Sequence, residues 1–351
     1  MSSCGSPIPL SAGHSKERAA LGLIHRHRPA EGAGGVRLRK TSSSLPDKKP
    51  FGTRLKEDWM HNKWKYIMLV PVVIYFIVFS YKPMYGVIIA FKNYRPNKGI
   101  MGSEWVGFLH FKNFFQSPDF GRILRNTFSI SGLGILFGFP APILLALLLN
   151  EIRNEPFKRV VQTITYLPHF VAMVIICGLL KTFCLSDGVF NTIIQAFGGT
   201  ATPLLQDSKF FYPILIGSDI WQGIGWGSII YLAAIAGVDQ EQYEAARIDG
   251  AGRLAQMWYI TLPGIMTTVM VMFVLRMGGI LNVGYEKILL LYNPATYEVA
   301  DVISTYTYRM GLQGAQWSFS TAVGLFNSVV NIVFLLVANK FSKKVSGNGL
   351  F

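Results

Sequence analysis

The sequence predicts an all-α polytopic membrane protein with six transmembrane helices, and three observations predict it. The first is composition: of 351 residues, 51% are hydrophobic and only 15% charged, with a mean hydropathy of +0.35. Soluble domains carry about 25% charged residues, and so sparse a set cannot readily cover a water-facing surface. The second is a series of six apolar runs at 65–81, 128–150, 163–183, 212–237, 265–281 and 319–339. Each approaches the ~20 residues that cross about 30 Å of hydrocarbon at 1.5 Å per residue. The third is where the net charge of +14 falls: 13 of the 33 Lys and Arg residues lie in the first 65 positions. Charge at the ends and in the loops of an apolar chain reports membrane topology rather than nucleic-acid binding.

Other classes are excluded on the same grounds. Cys4, Cys177 and Cys184 are too few and too scattered for a disulfide scaffold. The apolar content excludes global disorder. The roughly ten-residue alternating segments of a β-barrel are missing.

In chain order, residues 1–60 read as a flexible basic tail. Gly, Ser, Pro and charge alternate there without a sustained apolar period, as in Glu31-Gly32-Ala33-Gly34-Gly35 and Thr41-Ser42-Ser43-Ser44. No apolar run of about 7–15 residues near the start marks a signal peptide. Residues 61–127 hold the first span and a long outer loop. Trp105-Val106-Gly107-Phe108 and Phe111-Lys112-Asn113-Phe114-Phe115 in that loop fit an interfacial aromatic belt or a small cap. Residues 128–345 form the core transmembrane domain, with a loop at 238–264, and 346–351 are a C-terminal tail. A second outer segment, 282–318, carries Tyr285, Glu286, Tyr292, Tyr297, Asp301, Tyr306 and Tyr308. With the N-terminus inside, 21 Lys and Arg residues fall inside and 11 outside, and Arg276 remains within a span. The positive-inside rule therefore places both termini in the cytoplasm.

The loop between spans four and five is the most informative stretch. Residues 240 to 248 are good helix formers. Gly250 and Gly252 then permit a tight bend. A second short helix carries Leu254, Met257 and Trp258 at helical spacing, and Pro263-Gly264 marks entry into span five. The small side chains of Ala245 and Ala246 let another surface approach closely.

Here the chain resembles the inner-membrane permease subunits of binding-protein-dependent ABC importers. Their loop signature is Glu-Ala-Ala, three residues, Gly, nine residues, Ile-x-Leu-Pro. This sequence matches it at Glu244, Ala245, Ala246, Gly250, Ile260, Leu262 and Pro263, with the spacing intact. Leu124-Arg125-Asn126-Thr127-Phe128 and Tyr166-Leu167-Pro168 resemble the carbohydrate-uptake class. Gly284-Tyr285-Glu286-Lys287-Ile288, Asn293-Pro294 and the stretch from Ala300 to Arg309 resemble its polysaccharide or complex-oligosaccharide (LplB-like) branch. The resemblance covers about residues 60 to 345.

What it implies is a type I ABC importer permease fold in the bacterial plasma (inner) membrane. It also implies a role for the loop as the coupling element that docks on a separate ATPase dimer. Glu244, Ala245, Ala246 and Gly250 would carry the docking, with polar contacts from Arg247 and Asp249. No G-x-x-x-x-G-K-[ST] phosphate loop is present. The chain is thus expected to be a transport subunit without its own ATPase motif and to bind no cofactor, ATP and Mg being used by the partner. A second permease chain, an extracytoplasmic binding protein and no nucleic acid complete the expected partners.

Polar residues inside the spans are the candidate substrate pathway. Span four holds Asp219, Trp221, Gln222 and Trp226 among four glycines. Aromatic faces stack on sugar rings and carboxyl or amide groups bond hydroxyls; equally, the glycines pack helices. Arg276 in span five meets an acidic sugar or a partner carboxylate, or is structural. Asn327 and Asn331 in span six are pathway candidates or bonds between helices. His, Cys, Asp and Glu show no metal-ligand spacing. The rival readings are a permease for a non-sugar solute, such as a peptide or phosphate, and a membrane-embedded enzyme or sensor.

Overall fold

A computed structural model describes the backbone of residues 51–347 and 349, and side chains from residue 59 on. The basic tail up to residue 50 and most of the C-terminal tail lie outside the described residues. The chain divides into two units, one ending at Met68 and one beginning at Leu69.

In the first unit the described residues are helical from Phe51, upstream of the expected boundary at residue 61. The helix is interrupted at Asn62 (φ −116°, ψ 16°), where Lys65 Nζ donates to Asn62 Oδ1 at 2.9 Å and Trp59 stacks on Tyr66.

Among the described residues, the second unit consists of helices and connecting loops with one short ribbon, in which Lys92-Asn93 pairs antiparallel with Glu104-Trp105. Phe91 stacks on Trp105 at 5.7 Å and meets Phe108 edge-on, so these aromatics of the first loop form a cluster. Among the described residues, three helical stretches are long and apolar enough to cross a membrane: Trp59–Phe91, Phe120–Glu151 and Trp317–Ser346. Three bent helix pairs, each taken as one span, bring the number to six.

The bends divide two of the expected spans and set the loop helix at an angle to span four. Span three is Glu155–Phe170 followed by Met173–Phe183 at 99°. Pro168, which has no N–H to give, sits in the 3-10 turn Leu167–Phe170, and Val171 and Ala172 are extended. The expected span at 265–281 contains a helix of only 12 residues, Met266–Met277, set at 60° to Arg253–Gly264. Span four is a single long helix, Ser208–Ala236, whose first turn is capped by Asp207 accepting from Lys209 N at 2.9 Å.

Three apolar clusters hold the second unit together. One joins Ile176, Leu180, Phe211 and Leu215 to Val283, Ile288 and Val302. Another joins Ile143, Leu147, Tyr231 and Ile235 to Tyr243, Ile265 and Val269, and so reaches the 238–264 loop. The third packs Phe114 and Ile123 on Leu281, Tyr306 and Val323. Helix approach is closest where glycine permits it. A Cβ at Gly225 would strike the Thr165 carbonyl, and one at Gly227 would come within 3.0 Å of Pro142.

Candidate functional site: a charged cavity and a protruding loop

The lining of the cavity follows from helix periodicity. On Ser208–Ala236, the residues Leu215, Asp219, Gly223, Gly227 and Tyr231 recur at helical spacing and face one cavity of 480 Å³. From Leu215 to Tyr231 that face runs roughly 24 Å along the helix at 1.5 Å per residue. Span two contributes Ile130, Gly134, Gly138, Phe139 and Pro142, and Met266–Met277 contributes Met272, Leu275 and Arg276. Val283, Gly284 and Ile288 close one end. The wall is mostly apolar and carries two charges, Asp219 and Arg276.

Those two charges are held differently. Asp219 Oδ1 accepts from Lys287 Nζ at 2.6 Å, and Ser218 Oγ lies 3.3 Å from the same ammonium. The Lys287 side chain is 0% exposed and that of Asp219 47%. Lys287 comes from the helix Tyr285–Leu291, which starts at the cavity rim. Arg276 is exposed to the cavity, and no carboxylate among the described residues lies within 4.0 Å of it. A Cβ at Gly134 would sit 3.4 Å from Arg276 Nη2, so the guanidinium lies over a glycine in span two.

The remaining pathway candidates are placed elsewhere. Trp221, two residues past Asp219, turns to another face and lines a second, apolar groove with Ile176, Phe183, Phe190 and Ile214. Gln222 is partly buried outside the cavity lining. Trp226 stacks on His169, with ring centroids 4.6 Å apart and planes at 1°. Asn327 Nδ2 donates to Asn282 Oδ1 at 3.0 Å, and Asn331 Oδ1 accepts from Leu281 N at 3.1 Å. Both asparagines tie the last helix to the turn after span five. The structure thus brings Asp219 and Arg276 together and leaves the other five outside their cavity.

The 238–264 loop is built by local signals. Asp239 caps the helix Gln240–Ile248 by accepting from Glu241 N at 3.0 Å. The helix ends with Gly250 at φ +78°, Ala251 N donating to Ala246 O at 2.8 Å and Gly250 N to Arg247 O at 3.1 Å. This pair of bonds is a Schellman motif, which requires the left-handed residue that glycine supplies without strain. Tyr243 points inward: it is 9% exposed, belongs to the second apolar cluster, and pairs its hydroxyl with Thr261 Oγ1 at 2.9 Å. Glu244, Ala245, Arg247, Asp249 and Gly250 are exposed and Ala246 partly so. Beside them Ile248 is 86% and Tyr259 81% exposed, with Leu254 and Trp258 also open. Exposed apolar side chains gathered in this way mark a surface that meets another protein or the membrane.

The segment 282–318 is fixed by charge. Asp301, wholly buried, receives Arg309 through Nη1–Oδ1 at 3.1 Å and Nη2–Oδ2 at 2.6 Å, accepts from Thr305 Oγ1, and lies 3.5 Å from Arg122. Hydrogen bonding to Asp301 raises the Arg309 pKa above its ordinary value, against the opposing effect of burial. Asn126, also wholly buried, donates to the carbonyls of Glu298 and Asp301, and Thr127 Oγ1 accepts from Ile303 N.

Sequence reasoning missed Lys287 as a partner of Asp219, Tyr243 as the anchor of the loop, and the Asp301 cluster. Each lies in a stretch that carries the family resemblance, yet what each touches is set by tertiary structure.

Comparison with known proteins gives this architecture its family. The family model described as "binding-protein-dependent transport system inner membrane component" matches residues 138–347. Protein LplB of Bacillus subtilis (strain 168) is 49% identical over 84% of this chain and 94% of its own length. The polygalacturonan/rhamnogalacturonan transport system permease protein YteP of the same organism is 45% identical over 87% of this chain and 95% of its own length. A chain in the crystal structure of a bacterial alginate ABC transporter, in complex with an alginate pentasaccharide-bound periplasmic protein, is 47% identical. It superposes with a TM-score of 0.79 over 85% of this chain and all of its own. The six-span helical architecture, the loop signature and these matches together show that the chain belongs to the binding-protein-dependent inner membrane components, the multi-pass permeases of ABC importers with the type I fold.

Proposed function

We propose that this chain forms half of the translocation path of an ABC importer for acidic oligosaccharides or polysaccharide fragments. The observation that carries the substrate class is Arg276, exposed in the cavity with no carboxylate at ion-pair distance among the described residues. Asp219, the other charge on the wall, is already held by Lys287. A guanidinium on a mostly apolar wall is suited to bidentate recognition of a sugar carboxylate. The relatives named for polygalacturonan, rhamnogalacturonan and alginate transport support the same class.

The loop 238–264 is the coupling element in this reading. Glu244, Ala245, Ala246, Arg247, Asp249 and Gly250 face a separate ATPase dimer that binds ATP and Mg. The exposed Ile248, Leu254 and Tyr259 supply apolar area for that contact. Tyr243 passes the movement to Tyr231, Ile235 and Ile265 within the apolar cluster, and hence to the helix that carries the cavity wall. Substrate arrives from an extracytoplasmic binding protein, and a second permease chain, related but not identical, supplies the other half of the path. Both termini lie in the cytoplasm, in accord with the Lys and Arg distribution.

The test is ATP turnover of the purified complex, screened with loaded binding protein and a panel of oligosaccharides. Uronate-containing oligomers should stimulate it, and Arg276→Gln should lower that stimulation at least tenfold. Stimulation by neutral sugars alone, or an unchanged response in Arg276→Gln, would overturn the acidic-sugar reading.

A further inference from the structure

Lys287 has no function in the account above beyond holding Asp219, and its placement is costly. An ammonium with 0% side-chain exposure is tolerated only with its counter-charge in place. We infer that Lys287 is a specificity-determining positioning residue: it holds the Asp219 carboxylate so that Arg276 stays free and the cavity wall keeps a net positive charge.

The charge arithmetic is short. Asp219 and Arg276 line the same cavity, one negative and one positive. Alone they would cancel. Without another partner, the half-exposed carboxylate would be free to turn toward the guanidinium that shares its cavity. Lys287 stands behind the wall, on the helix that begins one residue past Gly284 of the rim, and takes Asp219 Oδ1 at 2.6 Å. Ser218, the neighbour of Asp219 in sequence, lies against the same ammonium at 3.3 Å. With that pair formed, the wall presents one uncompensated cation, and an anionic sugar is attracted where a neutral one is indifferent. Removing Lys287 would release a carboxylate that competes with the substrate for Arg276.

This rests on the acidic-oligosaccharide reading, and the experiment separates the two. The assembled complex is assayed for ATP turnover with a galacturonate oligosaccharide and with its methyl-esterified, uncharged form. The binding protein is common to all variants, so its own preference cancels. Lys287→Met is expected to lower stimulation by the acid at least tenfold and by the ester less than twofold. The double variant Lys287→Met/Asp219→Asn is expected to return the acid response to within threefold of wild type. A loss equal for both sugars, or no rescue by the double variant, would overturn the assignment of Lys287 alone. A wild-type complex that neither sugar stimulates would instead remove the substrate reading beneath it. Should Lys287→Met fail to accumulate in the membrane, the double variant carries the test: it must keep the wild-type ratio of acid to ester response, and a ratio near one would overturn the proposal.

Discussion

The 238–264 loop and the 282–318 segment lie at opposite ends of the same helices and are held in opposite ways. The loop is fixed by neighbours: a cap two residues away, a glycine turn, and one tyrosine bonded 18 positions further on. The segment is fixed by distant partners. Asp219 and Lys287 are 68 positions apart, Asn126 and Asp301 are 175, and Thr127 and Ile303 are 176. A part whose hydrogen bonds close on itself is suited to move as a unit and to push on what it packs against, here Tyr231 and Ile235 through Tyr243. A part tied to two other helices, Phe120–Leu133 and Ser208–Ala236, holds those helices together and shapes what lies between them. Damage to the loop should therefore affect coupling more than stability, and damage to the segment the reverse.

The sharpest way to break this contrast is at Asp301. Arg309→Ala leaves a wholly buried carboxylate with the Thr305 hydroxyl and, as its remaining counter-charge, Arg122 at 3.5 Å. Breaking one partner of a buried pair costs about 3–5 kcal/mol, so the thermal midpoint of the solubilised complex should fall by several degrees. An unchanged midpoint would show that the segment is not a tie. Next in size is Gly225→Ala, whose Cβ meets the Thr165 carbonyl. Overpacking of this kind costs about 1–3 kcal/mol, and a lower yield of folded protein in detergent would register it. At the loop, Gly250→Val places a β-branched residue at φ +78°. Uptake should fall at least tenfold with normal insertion, whereas a loss of membrane level in proportion to uptake would contradict the lever. The smallest effect is expected from Tyr243→Phe, which removes only the bond to Thr261. About 1 kcal/mol is at stake there, and a two- to fivefold drop in ATP turnover stimulated by loaded binding protein measures it.

The same contrast explains what was legible in the sequence. The helix at 240–248, its glycine stop and the family signature were readable because every interaction involved lies within a few residues. Composition and run length gave six spans for a similar reason, since hydrophobicity is a local property. The breaks at Val171-Ala172 and Ile265 were not readable as bends, although Pro168 and Pro263 sit beside them, because proline is also tolerated in a first turn. The cavity was half legible. An Asp and an Arg inside spans stand out on cost alone. Their sharing one wall, the capture of Asp219 by Lys287 and the turning of Trp221 to another groove depend on helix rotations that no local pattern encodes.

One feature of span two bears on how such a cavity changes over time. At Gly134–Gly138 the helix widens to a π turn, with Phe139 N donating to Gly134 O, and the chain holds one residue more than a regular helix would. Removal of a single residue there would restore the regular ladder and leave the turns on either side in register, so Phe139 and Pro142 would keep their places on the wall. What would be lost is the widened turn itself, whose two end glycines, Gly134 and Gly138, both line the cavity. Chain length can thus change by one residue at this turn and alter the shape of the wall there, while the side chains beyond it stay in place.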